Sequence, residues 1–260
     1  MSEKILLLLA DGMRPDMMLE CGNPYVREFL GDSVYTLDGQ TVMPSVTLPC
    51  HTSLFLSVPA DRHGILTNTW TPQVRPVKGL CEVLKDAGKK CGFFHDWSEL
   101  RDLVRPGYLT RSVFYSGNDY TYEKTMVMLT DETIKCLREG SLDFIFLYIG
   151  LPDILGHGKG FTSEEYKVSL KSVWDNIRLI KEALPDEYSM IVTADHGGNG
   201  RSHGSDSSEE MTIPIIFNGE AFKGIDASKV KTATIMDIAP TITAAMGVKA
   251  DPNWEGVSLL

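Results

Sequence analysis

Short apolar runs alternate along this chain with longer stretches whose apolar positions recur at helical spacing. Residues 4–10 (KILLLLA) read as a strand buried on both faces, because the run is continuous rather than alternating. Similar short runs predict strands over 90–94, 142–149, 190–194 and 213–217. Helices are predicted over 48–57, 77–87, 120–138, 163–184 and 234–246. Their ends carry the expected signals. Pro49 suits a first turn, and Gly88, Gly140 and Gly247 suit helix stops. Glu164 and Glu165 place negative charge at a helix N-terminus, and Pro185 follows the end of that helix. Strand–helix alternation implies an α/β fold with a mostly parallel sheet covered on both faces. The stretch 197–210, rich in Gly, Ser and charge, is expected to be a loop.

No internal repeat or boundary divides the chain, so one domain spanning 1–260 is expected, with the irregular region 96–118 the candidate for a small cap. The net charge of -10 argues against nucleic-acid polymers and anionic membranes as partners. It leaves room for a small-molecule phosphate ester, since bound metal ions reverse the field locally. Five cysteines, an odd count without a CxxC pair, favour a reducing compartment, and the expected location is cytoplasmic. The apolar run ending at Ala10 is too short for a signal peptide and runs into Asp11 and Gly12. No run approaches transmembrane length.

The chemistry sits just after predicted strands. Asp11 follows the first. Asp153 and His157 follow 142–149, in LPDILGHGKG. Asp195 and His196 follow 190–194, in TADHGG, and His203 lies further along the same loop. In open α/β sheets ligands bind beyond the carboxyl ends of the strands, so three distant segments can serve one crevice. A lone Asp after a strand is ordinarily a cap, and a lone His in a loop is ordinarily solvated. Three of the six histidines in Asp-x3-His and Asp-His…His spacings, on one sheet edge, point instead to metal. Carboxylate plus imidazole donors suit zinc, with manganese as the other fitting ion. Six ligands exceed one tetrahedral catalytic zinc and match two divalent ions.

These segments resemble the alkaline phosphatase superfamily, and within it the nucleotide pyrophosphatase/phosphodiesterase family. LLLLADGMRPD is similar to the family's first strand and metal Asp, and MPSVTLPCHTSLFLSVPADRHGILTNTW to its nucleophile segment. LPDILGHGKG and TADHGGNGRSHG are similar to the next metal segments, and IMDIAPTITAAMGVKADPNWEGVSLL to the C-terminal end. The resemblance implies an alkaline phosphatase-like three-layer sandwich. It implies that Asp153, His157 and His203 hold one ion, while Asp11, Asp195 and His196 hold the other together with Thr47. Thr47 would be the nucleophile, and Asn68, 21 residues later, would donate to a phosphate oxygen. Metal coordination would activate the Thr47 hydroxyl, and the positive end of its helix would face the phosphate. A plain N-cap role for Thr47 is compatible with that use.

A sulfatase-type reading is disfavoured. Counting back from His63-Gly64 places Thr47, not Cys50, at the modified-cysteine position, and the stretch reads Thr-x-Pro-x-His. The Ser nucleophile and phosphate-gripping Arg common in the superfamily's phosphomonoesterases are not in place, which favours diesters or phosphonates, and the activity expected from the resemblance is hydrolysis of phosphodiesters or nucleotide pyrophosphates through a phospho-threonine intermediate. The alternatives are a phosphonate hydrolase or phosphomonoesterase on the same site, and a metal-stabilised binding protein without turnover. Candidate substrate contacts are Trp70, His51 and Arg201. Each has a plainer reading, as a packed loop aromatic, a packed helix residue and a solvated loop cation.

Overall fold

The computed structural model describes residues 3–105 and 107–260. Its strands are β1 (Lys4–Ala10), β2 (Ser33–Gln40), β3 (Cys91–His95), β4 (Arg111–Phe114), β5 (Phe144–Ile149), β6 (Tyr188–Thr193) and β7 (Thr212–Asn218). Among the described residues they form one sheet in the order β2-β7-β6-β1-β5-β3-β4. β1 lies between β5 and β6, parallel to both, and β3 continues the parallel set to β4. β7 runs antiparallel to both β6 and β2. The reversed direction of the 213–217 run is therefore a feature its composition did not disclose.

β1, β5 and β6 bury nearly every residue, because helices cover both faces of the sheet. One layer contains α1 (Pro15–Glu20), α2 (Tyr25–Gly31), α5 (Tyr122–Glu139), α6 (Leu151–Lys159) and α7 (Glu164–Ala183), which contact one another. The other contains α3 (Thr47–Leu56), α4 (Leu80–Asp86) and α8 (Ile238–Ala245). This is the three-layer sandwich the resemblance implied. α7 turns Tyr166, Leu170, Val173, Trp174, Ile177 and Ile180 inward at helical spacing, and the Ser163 hydroxyl caps its start by accepting from Tyr166 N at 3.1 Å. In α3 all ten residues are buried, so no polar face marks it in the sequence.

Several boundaries differ from expectation for identifiable reasons. The helix expected over 120–138 begins at Tyr122, because Thr121 adopts φ 90° and separates it from a short turn at Gly117–Tyr120. The helix expected over 77–87 begins at Leu80, where Glu82 accepts from Gly79 N at 2.8 Å. β2 escaped prediction because it is a half-exposed edge strand with a register shift between Thr36 and Gly39. Within 96–118, β4 joins the sheet beside β3, while Pro106 lies outside the described residues. The loop expected at 197–210 carries a short helix, Ser208–Met211, at its end. No helix among the described residues is long and apolar enough to cross a membrane.

Candidate metal centre

The register of the sheet assembles the site. Ala10 pairs with Ile149 and Leu9 with Thr193, so β1, β5 and β6 end side by side. Asp11 emerges from β1 with its amide held by Ile149 O at 3.0 Å. Asp195 and His196 emerge from β6. Asp153 and His157 lie one turn apart on α6, whose start follows β5 directly with Pro152 in the first turn. Sequence reading placed this pair only after a strand, since the two glycines in LPDILGHGK weaken the helical signal.

The first of them, Gly156, is structural. A Cβ on Gly156 would lie 2.5 Å from the Phe161 ring, and one on Gly198, in the loop after β6, would lie 2.4 Å from it. Phe161 is fully buried, and its ring packs edge-on against His157 and His203 at centroid separations of 5.8 and 6.3 Å. The segments bearing His157 and His196–His203 thus close on one aromatic ring.

Three histidines are fixed in the same tautomer. His157 Nδ1 contacts Arg201 O at 2.8 Å, His196 Nδ1 contacts Gly197 O at 2.7 Å, and His203 Nδ1 contacts Ser45 O at 2.8 Å. A carbonyl only accepts, so each Nδ1 carries the proton and each Nε2 presents a lone pair to the cleft. His157 Nε2 and His203 Nε2 stand 3.1 Å apart, lone pair against lone pair. Around them, Asp153 approaches His157 at 3.5 Å and His203 at 3.6 Å. His196 Nε2 lies 3.4 Å from Asp11 Oδ1, 3.3 Å from Asp195 Oδ2 and 3.2 Å from Thr47 Oγ1. His196 stacks on His203 at 3.7 Å, so it stands between the two groups.

Asp11 and Asp195 each have one oxygen spoken for and one free. Asp195 Oδ1 accepts from Gly12 N and His196 N, both at 3.0 Å. Asp11 Oδ2 accepts from the Tyr148 hydroxyl. Asp11 Oδ1, Asp195 Oδ2 and Asp153 Oδ1 are buried without a hydrogen-bond partner. Burial first, then the neighbouring Asp195 and Asp153, push Asp11 well above the ordinary carboxylate range. Burial likewise raises Asp195, and raises Asp153 to about 6. Burial holds His196 and His203 down to about 4, so both are neutral donors near neutral pH.

Buried, mutually repelling carboxylates and facing imidazole lone pairs are costly on their own, and divalent cations relieve both. Within 4.8 Å clusters, ligand atoms come together as Asp11–Asp195–His196 and as Asp153–His196–His203. His157 joins the second through its contacts with Asp153 and His203. The donor set therefore fits two divalent ions.

The cleft, about 340 Å³, is lined by Asp11, Asp153, His157 and His203 together with Thr47, Asn68, Trp97, Tyr122, Tyr148, Gly150 and Ile154. Thr47 occupies the first turn of α3, with Val46 rather than Thr47 at the cap position and no side-chain cap bond. Asn68 Oδ1 accepts from Leu48 N at 2.9 Å, which leaves its amide nitrogen to donate beside Thr47. Of the other candidates, His51 is a fully buried residue of α3 whose Nδ1 donates to Thr47 O at 2.8 Å and lies 3.5 Å from Asp195 Oδ2, so it borders the ligands from the core side. Trp70, 42% exposed, lines a separate apolar cavity with Thr52, Phe55 and Ile65. Arg201 reaches the site through its carbonyl, and its residue is exposed. Sequence reading missed Tyr148, hidden in the apolar run of β5. It also missed Ser45, whose carbonyl orients His203.

A family model described as type I phosphodiesterase / nucleotide pyrophosphatase matches residues 5–99, which contain Asp11, Thr47 and Asn68. One described as metalloenzyme superfamily matches residues 113–250, which contain the other five site residues. Ectonucleotide pyrophosphatase/phosphodiesterase family member 7 of Rattus norvegicus is 25% identical over 222 residues, covering 75% of this chain and 49% of that protein. The 2,3-bisphosphoglycerate-independent phosphoglycerate mutase of Caenorhabditis elegans is 28% identical over 211 residues, covering 78% of this chain and 38% of that protein. The chain thus spans about half the length of the first relative and less of the second. Among solved structures, murine ectonucleotide pyrophosphatase/phosphodiesterase 5 superposes with TM-score 0.78 and 16% identity, over 96% of each chain. An inactive form of that mouse protein in complex with AMP matches equally well. Identity this low speaks for the shared fold alone.

Proposed function

The chain belongs to the metalloenzyme superfamily of alkaline phosphatase-like proteins, and from that premise we propose that it is a two-metal hydrolase acting on phosphodiesters or nucleotide pyrophosphates through Thr47. One observation carries the reading. Three histidines donate Nδ1–H to backbone carbonyls, and His196 and His203 turn Nε2 toward the buried, unpartnered oxygens of Asp11, Asp195 and Asp153. Asp153, His157 and His203 would hold one ion, and Asp11, Asp195 and His196 the other, with His196 within reach of both groups. Zinc suits these donors, and manganese is the alternative. Two bound divalent ions supply the positive charge that activates a hydroxyl and offsets charge developing on phosphoryl oxygens.

Thr47 supplies the nucleophilic oxygen at the start of α3, beside His196 and facing the open cleft. Its attack in line forms the Thr47 O–P bond and breaks the opposite P–O bond, giving a phospho-threonine, while the Thr47 proton passes to solvent water and the departing alkoxide takes one from solvent to leave as the alcohol. Asn68, fixed through Leu48 N, turns its amide nitrogen to an equatorial phosphoryl oxygen. Water then cleaves the phospho-threonine, and two inversions give net retention at phosphorus. A nucleotide substrate is supported by the nucleotide pyrophosphatase family match. A cytoplasmic setting is supported by five cysteines that are all buried as thiols.

The test is turnover of the zinc-loaded protein on bis-p-nitrophenyl phosphate and p-nitrophenyl phosphate, with Thr47→Ala beside it. The expected result is diester preference, with at least about a 10³-fold loss of kcat in the variant at unchanged metal content. Preference for the monoester moves the assignment to phosphatase. Turnover that survives Thr47→Ala refutes the nucleophile.

A further inference from the structure

Tyr122 opens α5 and lines the cleft. In sheet order Thr47 sits against His196, after β6, whereas Tyr122 packs against Gly150, after β5, and near Asp96, after β3. Its seat is cleared by two glycines. A Cβ on Gly117 would meet the ring at 2.5 Å, and one on Gly150 would meet it at 2.8 Å. The residue before it, Thr121, holds φ 90° and ψ 146°, a region that L side chains rarely adopt. Thr121 also caps α5, its hydroxyl accepting from Lys124 N at 3.5 Å. A strained backbone and a ring seat without Cβ atoms both serve to bring this one side chain to the cleft.

The Tyr122 ring is largely buried, and the residue lines the cleft with a hydroxyl that makes no hydrogen bond to any described residue. Tyr148, the other tyrosine of the cleft, is committed to Asp11. Burial, with Asp96, Asp11, Glu99 and Asp153 nearby, pushes Tyr122 up to about 12, so it remains a donor throughout the working pH range. An uncommitted donor on the wall of a reaction cleft is free to serve the substrate.

We infer that Tyr122 is a substrate-contacting residue whose hydroxyl donates a hydrogen bond to the leaving-group oxygen of the phosphate ester attacked by Thr47. The inference rests on the phosphoester hydrolase reading above. In-line attack places the leaving oxygen on the side away from the nucleophile, and in sheet order Tyr122 lies by β5 and β3 whereas Thr47 lies by β6. The bond strengthens as negative charge builds on that oxygen, and no proton transfer is required. Its value therefore rises with the basicity of the leaving alcohol.

Tyr122→Phe removes one oxygen and keeps the ring between Gly117 and Gly150. The experiment compares kcat/KM of wild type, Tyr122→Phe and Thr47→Ala, all zinc-loaded, on p-nitrophenyl, phenyl and alkyl diesters of phosphate. Metal content and melting temperature are read on the same samples. The expected result is a loss of less than about 3-fold on the p-nitrophenyl ester, growing to roughly 10²-fold on the alkyl ester, with metal content and melting temperature retained. A loss equal for all three esters, or no loss, overturns the assignment of Tyr122 while the hydrolase reading stands. Absence of any Thr47-dependent turnover in the wild type overturns the hydrolase reading, and this inference with it.

Discussion

Asp153→Asn should stabilise the metal-free protein and abolish its response to metal. Asp153 is largely buried, and burial raises it from the usual 3.8 to about 6, with His203 and His157 opposing and Asp195 adding. The folded-state value lies above the unfolded one, so the fold holds the proton more tightly. The associated stability is fully present below about pH 4 and is lost as pH rises through about 6. At about 1.4 kcal/mol per unit, the roughly two-unit rise amounts to about 3 kcal/mol lost by pH 8. An Asn at this position never ionises and does not bear that cost. Without metal, Asp153→Asn should exceed wild type by up to about 3 kcal/mol at pH 8, or roughly 6–12 °C for a chain of this size. By about pH 5 the advantage should fall to roughly half. Saturating zinc should reverse the order, since wild type gains about 4 kcal/mol at a thousandfold excess over Kd and the variant has lost a ligand. Melts at both pH values, with chelator and with zinc, read all four states. A variant less stable than wild type without metal at pH 8, or one that gains as much from zinc, refutes the argument that these carboxylates are held together for a cation.

Tyr148→Phe should free Asp11 Oδ2 and weaken the Asp11–Asp195–His196 ion by about 10–100-fold, read as zinc affinity by competition with a chelating dye. An unchanged affinity would show that Tyr148 does not orient Asp11. Gly156→Ala should press its methyl into the Phe161 ring at 2.5 Å, costing about 1–3 kcal/mol in a denaturant melt and loosening the ion bound through His157. A full-stability variant would show that α6 can shift without cost. Thr47→Ala should leave the zinc-loaded melting temperature within a few degrees of wild type while turnover is lost, because Thr47 makes no capping bond.

The strands that build the site were legible because their burial is written locally. β1 is a continuous apolar run with its expected bounds, and β5 and β6 are displaced by only a residue or two, since a parallel strand covered on both faces needs no partner to declare itself. β2 was not legible, because an edge strand with one wet face and a register shift lacks that run. α6 was hidden by Gly156 and Gly158, whose low helix propensity is overridden by Phe161 packing against the helix. The reversed direction of β7 depends on its connection back along the sheet, which leaves no mark on its own residues.

For the site, residue type and spacing were enough to pick out Asp11, Asp153, His157, Asp195, His196 and His203, because metal chemistry demands such donors at strand ends, whereas Thr47 and Asn68 came from the family resemblance. What lies between those positions was decided by the fold alone. The tautomers of two of the three histidines depend on a carbonyl from another segment, Ser45 for His203 and Arg201 for His157. The free oxygen of Asp11 depends on Tyr148, a residue 137 positions away that reads from sequence as core. The unpaired hydroxyl of Tyr122 depends on glycines at 117 and 150 that leave space for its ring. A sequence specifies which donors are available through local pattern, whereas their orientation and unmet partners arise from contacts between distant segments, which exist only once the sheet has set its register.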